Sequence, residues 1–563
     1  MSEVSPLQGF KETDVSAQEV NNRIIQWSPL LDKLNKADQT MSEYFAPLAK
    51  WESKNVFPLQ GKAFDLIQEH AARLYGDDTA KKLRSQLEQH PVAETGTHIS
   101  FPRDYDFQNG VTYDNELVWQ GALLSSSLYR NAGMNVHFGL YSSRIPVANT
   151  NSAEFLQVAS GGHLTRVVTS KKAKSTVMHA PIIDAQKINE IRAESQNFFI
   201  QQQAGQAKKL IQQAWDMDSE RRDTWSQFLN KTIVHTAKNE YTMNKIKDDL
   251  ALDGLVLPDY KLRVEFANEL LDGLAQPLAR SGQSFGFSDQ VMAVQTRVMN
   301  KMMPQDIQQV TVDFAAISTR LMADAFRDEN SLLHQIFADD AKRDAFVQQM
   351  SGIRTGWDVD PQTGRMQAPF LMVSKVKDSI RLNKIDYESN KDLFTPEQIA
   401  VNLENGRIAP TTALEVGFML METGIAVHGG MFQAIYAPDI QNRFVEFLHG
   451  NGDHKRAQAL ADMPLDVALQ SPCFGITEEY GQTRLLRVSD FLDNGITIAE
   501  AEQLGDLKSR HALGIASPTL HNFFTYYETN LTENIREIVS PKAAQDIYDV
   551  FRHDANLVKR SIH

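Results

Sequence analysis

Two stretches of this chain share a pattern that few folds accommodate. In "DNELVWQGALLSSSLYRNAGMNVHFGLYSSR" and in "TTALEVGFMLMETGIAVHGG" an apolar helix-forming run ends at a glycine. A short apolar segment with strand character follows, and polar residues come directly after it. In the first stretch Asp114 is placed to cap the helix and Gly133 to end it; in the second, Gly424 is the stop. A helix that hands over to a buried strand is the working unit of layered α/β proteins, since the strand needs covering and the helix supplies the cover. The expected fold class is therefore helix-rich α/β, a mixed sheet with a large helical layer or subdomain.

The texture of the rest divides the chain further. Residues 1–93 read as a helical segment, with apolar residues three and four apart in "TMSEYFAPLAKW" and "KAFDLIQEHAARLYG". Residues 94–183 read as an α/β segment holding the candidate site, with strands at "MNVHFGLY", "LTRVVT" and "TVMHAPII". Residues 184–364 turn helical again, 365–448 form a second α/β segment, and 449–563 a C-terminal helical one. With 563 residues, the length fits about three to four domains. No internal repeat of fixed period is visible.

Charge narrows the partners. A net charge of −14 argues against a dedicated nucleic-acid surface, because phosphate binding needs clustered Lys and Arg. The one basic cluster, Lys171, Lys172 and Lys174, reads as a solvated turn. No apolar run approaches the ~18–20 residues that span a bilayer, so no membrane partner is expected. The start lacks the basic and apolar regions of a secretory signal, and Cys473 stands alone, so no intramolecular disulfide forms. A cytoplasmic location is the expectation. Oligomeric state and cofactor are not legible.

Motifs of established chemistry are scarce. The glycine pairs Gly161-Gly162 and Gly429-Gly430 permit close backbone approach to a phosphate or carboxylate but belong to no nucleotide-binding pattern, and read first as tight turns. Asp104 and Asp106 in "RDYD" read as solvated or capping residues, and "HGNGDH" as a surface loop, so no metal site is expected. Ser142 and Ser143 lack the flanking glycines of a nucleophile elbow, and Cys473 reads as a small buried hydrophobe.

What remains is a convergence of residue types. His98, His137 and His428 are the candidate catalytic residues, since imidazole moves protons near neutral pH. Arg103, Arg144, Ser142, Ser143, His163, Gly429, Gly430 and Gln433 are the candidate substrate-binding residues; a guanidinium grips a carboxylate or phosphate through two parallel hydrogen bonds. Most follow apolar runs that read as buried strands, and in open α/β sheets ligands sit beyond the strands' carboxyl ends. The expected function is a cytoplasmic enzyme acting on a small anionic metabolite by group transfer or hydrolysis. The alternative is a non-catalytic interaction or effector protein that uses its helical surface.

Overall fold

A computed structural model gives the fold. It describes residues 40–52, 54–95, 127–141, 154–160, 163–168, 183–194, 267–275, 287–304, 306–353, 356–376, 379–429, 431–467, 475–479, 482–485, 488–492, 494–506 and 558–559. The fold is helix-rich α/β, as the sequence implies. Among the described residues no helix is long and apolar enough to cross a membrane.

Four parallel strands organise the molecule: β1 (Val92–Thr95), β2 (Val136–Tyr141), β5 (Gln308–Asp313) and β9 (Ala426–His428). Between β2 and β5, β3 (Glu154–Ser160) and β4 (His163–Val168) form a separate antiparallel hairpin. The order across the parallel sheet is β5-β2-β1-β9. The chain thus adds β2 and then β5 on one side of β1, and finally inserts β9 on the other. The order of strand addition reverses between β1 and β9, where open α/β sheets bind their ligands. The two sequence segments expected to share a sheet do so through β2 and β9. That sheet is parallel, and the antiparallel pairing lies elsewhere.

The helices before it are α1 (Met41–Ala49), α2 (Gln60–Tyr75) and α3 (Asp77–Gln89), followed after β1 by the short α4 (Ser127–Asn131). Gln86 of α3 completes β2: its side-chain oxygen accepts from Val136 N at 2.9 Å and its nitrogen donates to Val136 O at 2.8 Å. The β1 register places Val92 opposite His137, so Val136 has no strand partner on that side and the side chain substitutes for one. The outer edge of β5 is closed similarly. Gln309 N donates to Asn300 Oδ1, Thr311 N to the Tyr75 hydroxyl, and that hydroxyl to Thr311 O.

Asn300 belongs to α5 (Phe287–Met302), and β5 runs straight into α6 (Phe314–Arg327), whose N-cap is Asp313. Strand β5 falls inside the stretch read as helical from sequence. It is six residues long between two helices, too short to interrupt a pattern dominated by helical spacing.

The second half pairs α7 (Leu332–Phe337) and α8 (Asp340–Gln349) with an antiparallel sheet of β6 (Gln367–Val376), β7 (Ser379–Asp386) and β8 (Ile408–Pro410), ordered β7-β6-β8. Its core is aromatic. Phe337 meets Phe326 and Phe346 edge to face at 5.1 and 5.4 Å, and Phe370 stacks on Phe394 at 5.9 Å. After α9 (Pro396–Glu404), β8 leads through the N-cap Thr411 into α10 (Thr412–Thr423), which delivers the chain to β9. Beyond β9 come α11 (Met431–Gly450), α12 (His454–Ala461), β10 (Gly475–Glu479), β11 (Gln482–Leu485), α13 (Ile498–Gly505) and β12 (Val558–Lys559). Strands β10 to β12 form a small sheet in the region read as helical.

Helix α10 is buried from Ala413 to Thr423, which explains its nearly continuous apolar sequence. Gly424 ends it in the left-handed conformation at φ +67°, as read from sequence. Three carbonyls at that end find donors in the first part of the chain: Glu422 O from Leu59 N, Thr423 O from Gln60 Nε2 and Gly424 O from Trp51 Nε1, at 2.8 to 3.1 Å. Gly417 faces Phe444 of α11 so closely that a methyl group there would overlap the ring. Glu422 pairs with Arg456 of α12 at 3.1 Å, both side chains at most 6% exposed. Burial pushes the Glu422 carboxyl up to about 7 against the pull of Arg456.

Two outcomes follow for stability. Gly417→Ala overfills the α10–α11 contact and lowers the unfolding free energy by about 1–3 kcal/mol in chemical denaturation. Arg456→Met strands Glu422 and costs about 3–5 kcal/mol, most of it regained when Glu422→Leu is added, because the replaced pair then leaves no buried charge.

Candidate functional site

Side chains alternate along a strand, and the registers assign each residue to a face. Glu94 lies opposite His428 on one side and Gly139 on the other; His137 lies opposite Gln309, Gly139 opposite Thr311, and Tyr141 opposite Asp313. One face of the parallel sheet therefore carries Glu94, His137, Tyr141, Gln309, Thr311, Asp313 and His428. The other carries Ala93, Val136, Phe138, Leu140, Val310, Val312 and Val427. The second face is an ordinary core surface. On the first, every one of those polar residues except Asp313 is buried.

The polar face contains a directed relay. Gln309 Nε2 donates to the Thr311 hydroxyl oxygen at 2.7 Å, which turns its Oε1 toward His137. That oxygen only accepts, so His137 Nδ1 carries the ring proton and donates it. Nε2 is left as a lone pair in a side chain 3% exposed, with no hydrogen-bond partner among the described residues. An unmet buried polar atom costs about 1–3 kcal/mol, and a native fold keeps one where it has a use. Gly139 gives the relay room: a Cβ there would stand 3.2 Å from both Gln309 Nε2 and Thr311 Oγ1.

His137 and His428 are close enough to interact electrostatically. Burial lowers the His137 ring to about 4, with the Gln309 bond opposing, and burial together with His137 lowers His428 to about 3. Both rings are neutral at physiological pH. Strands β1, β2, β5 and β9 carry no Lys or Arg, so Glu94 and Asp313 are their charged residues, and the Asp313 carboxylate caps α6 by accepting from Ala315 N at 3.0 Å. Among the described residues no group of three or more His, Cys, Asp or Glu side chains is arranged to hold a metal ion.

The sequence candidates distribute as follows. The structure brings His137 and His428 onto one face and sets the buried Gly429 directly beyond β9. His98 and Arg103 follow β1 in sequence, Ser142, Ser143 and Arg144 follow β2, and Gly430 follows Gly429; all six lie outside the described residues. Gln433 falls in the first turn of α11 and His163 opens β4, in the separate β3–β4 hairpin, and both side chains lie outside the description. Asp104, Asp106, Cys473 and the Lys171–Lys174 cluster are likewise outside it.

Sequence reading passed over Glu94, Tyr141, Gln309, Thr311 and Asp313. A signal was present in "QQVTVD", where Gln309, Thr311 and Asp313 alternate with Val310 and Val312. No protein-family model, curated protein or solved structure matches the chain.

The depressed histidines make stability pH-dependent. Below pH 6.5 the unfolded chain takes up protons that the folded rings refuse, so their contribution is complete above 6.5 and is lost as pH falls toward 4. Each ring adds a slope of about 1.4 kcal/mol per pH unit in that window. Glu422 acts with the opposite sign between 4.5 and 7, so the informative quantity is a difference. Urea denaturation of the native chain and of His137→Gln from pH 4 to 7 shows the variant's slope smaller by about one proton.

Proposed function

We propose that this chain is an enzyme for a small metabolite, with His137 as the acid–base group of its site. Support for the reading rests on one observation: a fully buried imidazole whose tautomer is fixed and whose second nitrogen has no partner. Candidate substrate contacts come from the segments that follow the carboxyl ends of β1, β2 and β9; strand order reverses between β1 and β9, while His137 stands at the amino end of β2. Those segments carry His98, Arg103, Ser142, Ser143, Arg144, Gly429, Gly430 and Gln433.

In this reading Arg103 and Arg144 hold an anionic end of the substrate, a phosphate or carboxylate, in bidentate contact. His137 meets the reacting group on the sheet face. A neutral ring of low basicity takes a proton only when its imidazolium is stabilised as the reaction proceeds. Group transfer and hydrolysis both need such a proton acceptor. The proposed compartment is the cytoplasm, in keeping with a chain that has a single cysteine.

Thermal-shift measurement against a panel of phosphorylated and carboxylated metabolites tests the reading. One chemical class raises the melting temperature by several degrees, and His137→Gln weakens that ligand by about tenfold or more. Silence across the panel, or a ligand indifferent to both His137→Gln and Arg144→Lys, overturns it.

A further inference from the structure

We infer that the substrate group meeting His137 is an uncharged hydroxyl, as in a polyol or sugar-like moiety, and that any anionic group of the same molecule is held away from the strands. This inference rests on the proposed function and deepens it. The relay fixes what His137 can accept. Thr311 Oγ1 holds the Gln309 amide through its nitrogen, the amide oxygen takes the Nδ1 proton, and Nε2 offers a lone pair to a donor. A carboxylate has no proton to give it at neutral pH, and a phosphate monoester, with a second pKa of about 6, has lost most of its own.

The surroundings of the ring argue the same way. Among the described residues its neighbours in register on the face are Val92, Gln309 and Gly139, none of them charged, and the nearby His428 ring is neutral. The two acidic side chains on the four strands, Glu94 and Asp313, bring no positive charge to meet an anion laid across the face. An ammonium group would also donate to Nε2. At that position, however, it would be desolvated among neutral neighbours, which costs more than one hydrogen bond returns. A hydroxyl donates without bringing charge. A second hydroxyl on the same carbon chain would find a further acceptor along the row in the Thr311 oxygen.

Gln309 becomes a positioning residue in this arrangement. It does not touch the substrate; it keeps the lone pair on the nitrogen that does.

Nitrogen NMR of the full chain with labelled histidine, with the His137 signals assigned through His137→Gln, tests both parts. The free protein is expected to show His137 with Nδ1 protonated and Nε2 bare at pH 7. Matched pairs then separate the ligand classes: glycerol 3-phosphate against propyl phosphate, glucose 6-phosphate against hexyl phosphate, and gluconate against hexanoate. The hydroxylated member of at least one pair should bind about tenfold or more tightly than its partner and move the Nε2 signal. In Gln309→Leu that preference should fall toward unity while the anion still binds.

Protonated Nε2 in the free protein overturns the inference at once. Equal binding by both members of a pair, with the same Nε2 shift, overturns it while leaving an anion-binding enzyme standing. A preference for aminated analogues, such as glucosamine 6-phosphate over glucose 6-phosphate, overturns it in favour of an ammonium donor. If no member of any pair binds and no metabolite stabilises the chain, the proposed function falls with it.

Discussion

Polar side chains laid on a buried sheet face must find their hydrogen bonds inside the protein, and much of this molecule follows from that constraint. Water would satisfy His137, Gln309 and Thr311 at no cost on a surface; in the interior each group must be met by another or go unmet at a cost of about 1–3 kcal/mol. Gln309 meets two of them at once, accepting from His137 and donating to Thr311. Within this relay the His137 lone pair is left over. Because the relay consumes the neighbouring donors, moving the ring proton to Nε2 does not resolve the deficit: it would set the Nδ1 lone pair against the Gln309 oxygen. The same burial keeps both histidines neutral, so among the described residues the strands' side chains on this face bring no fixed positive charge.

That face depends in turn on contacts between distant parts of the chain. Strand β9 contributes His428, and it reaches β1 because α10 ends against the N-terminal helices. The carbonyls of Glu422, Thr423 and Gly424 are each bound by a group between Trp51 and Gln60. A buried helix end has few other ways to satisfy those carbonyls, since solvent does not reach them. Thus the cap on α10 and the pairing of β9 with β1 are two consequences of one docking event. The Glu422–Arg456 pair fixes α12 against the same end. Its charges add little net stability compared with an apolar contact of the same shape, but removal of either partner leaves the other buried alone.

The two sheets divide the labour. The antiparallel β6, β7 and β8 close over aromatic side chains, with Phe337 at the centre of a group of edge-to-face rings. The parallel sheet has an apolar face of β-branched and aromatic residues and a polar face that packing alone does not explain. Arg343, 3% exposed, shows how a polar group is buried for structure: its guanidinium donates to the Tyr387 hydroxyl, the Phe337 carbonyl and Asp340. His137 differs in keeping an open position.

The sequence by itself determined the local elements. Thr411 and Gly424 bracket α10 because a hydroxyl accepts the first free N–H and only a residue without Cβ enters the left-handed turn cheaply. "VHFGLY" and "IAV" form strands on their own alternation and β-branching, and the helix-rich α/β class follows from their coupling to helices. His137 and His428 were legible as candidates from residue type and from the apolar runs beside them. Their neighbourhood was not. Which face a strand buries, and what lies across from it, is set by register, and register is a relation between segments up to about three hundred residues apart. Gln309 lay within a stretch read as helical until β5 was paired with β2, and Glu94 stood without a role at the start of the α/β segment until β9 was placed beside it. The order β5-β2-β1-β9, the tautomer of His137 and the charge on its face belong to the tertiary structure, because hydrogen bonds across strands are made between residues that share no local sequence.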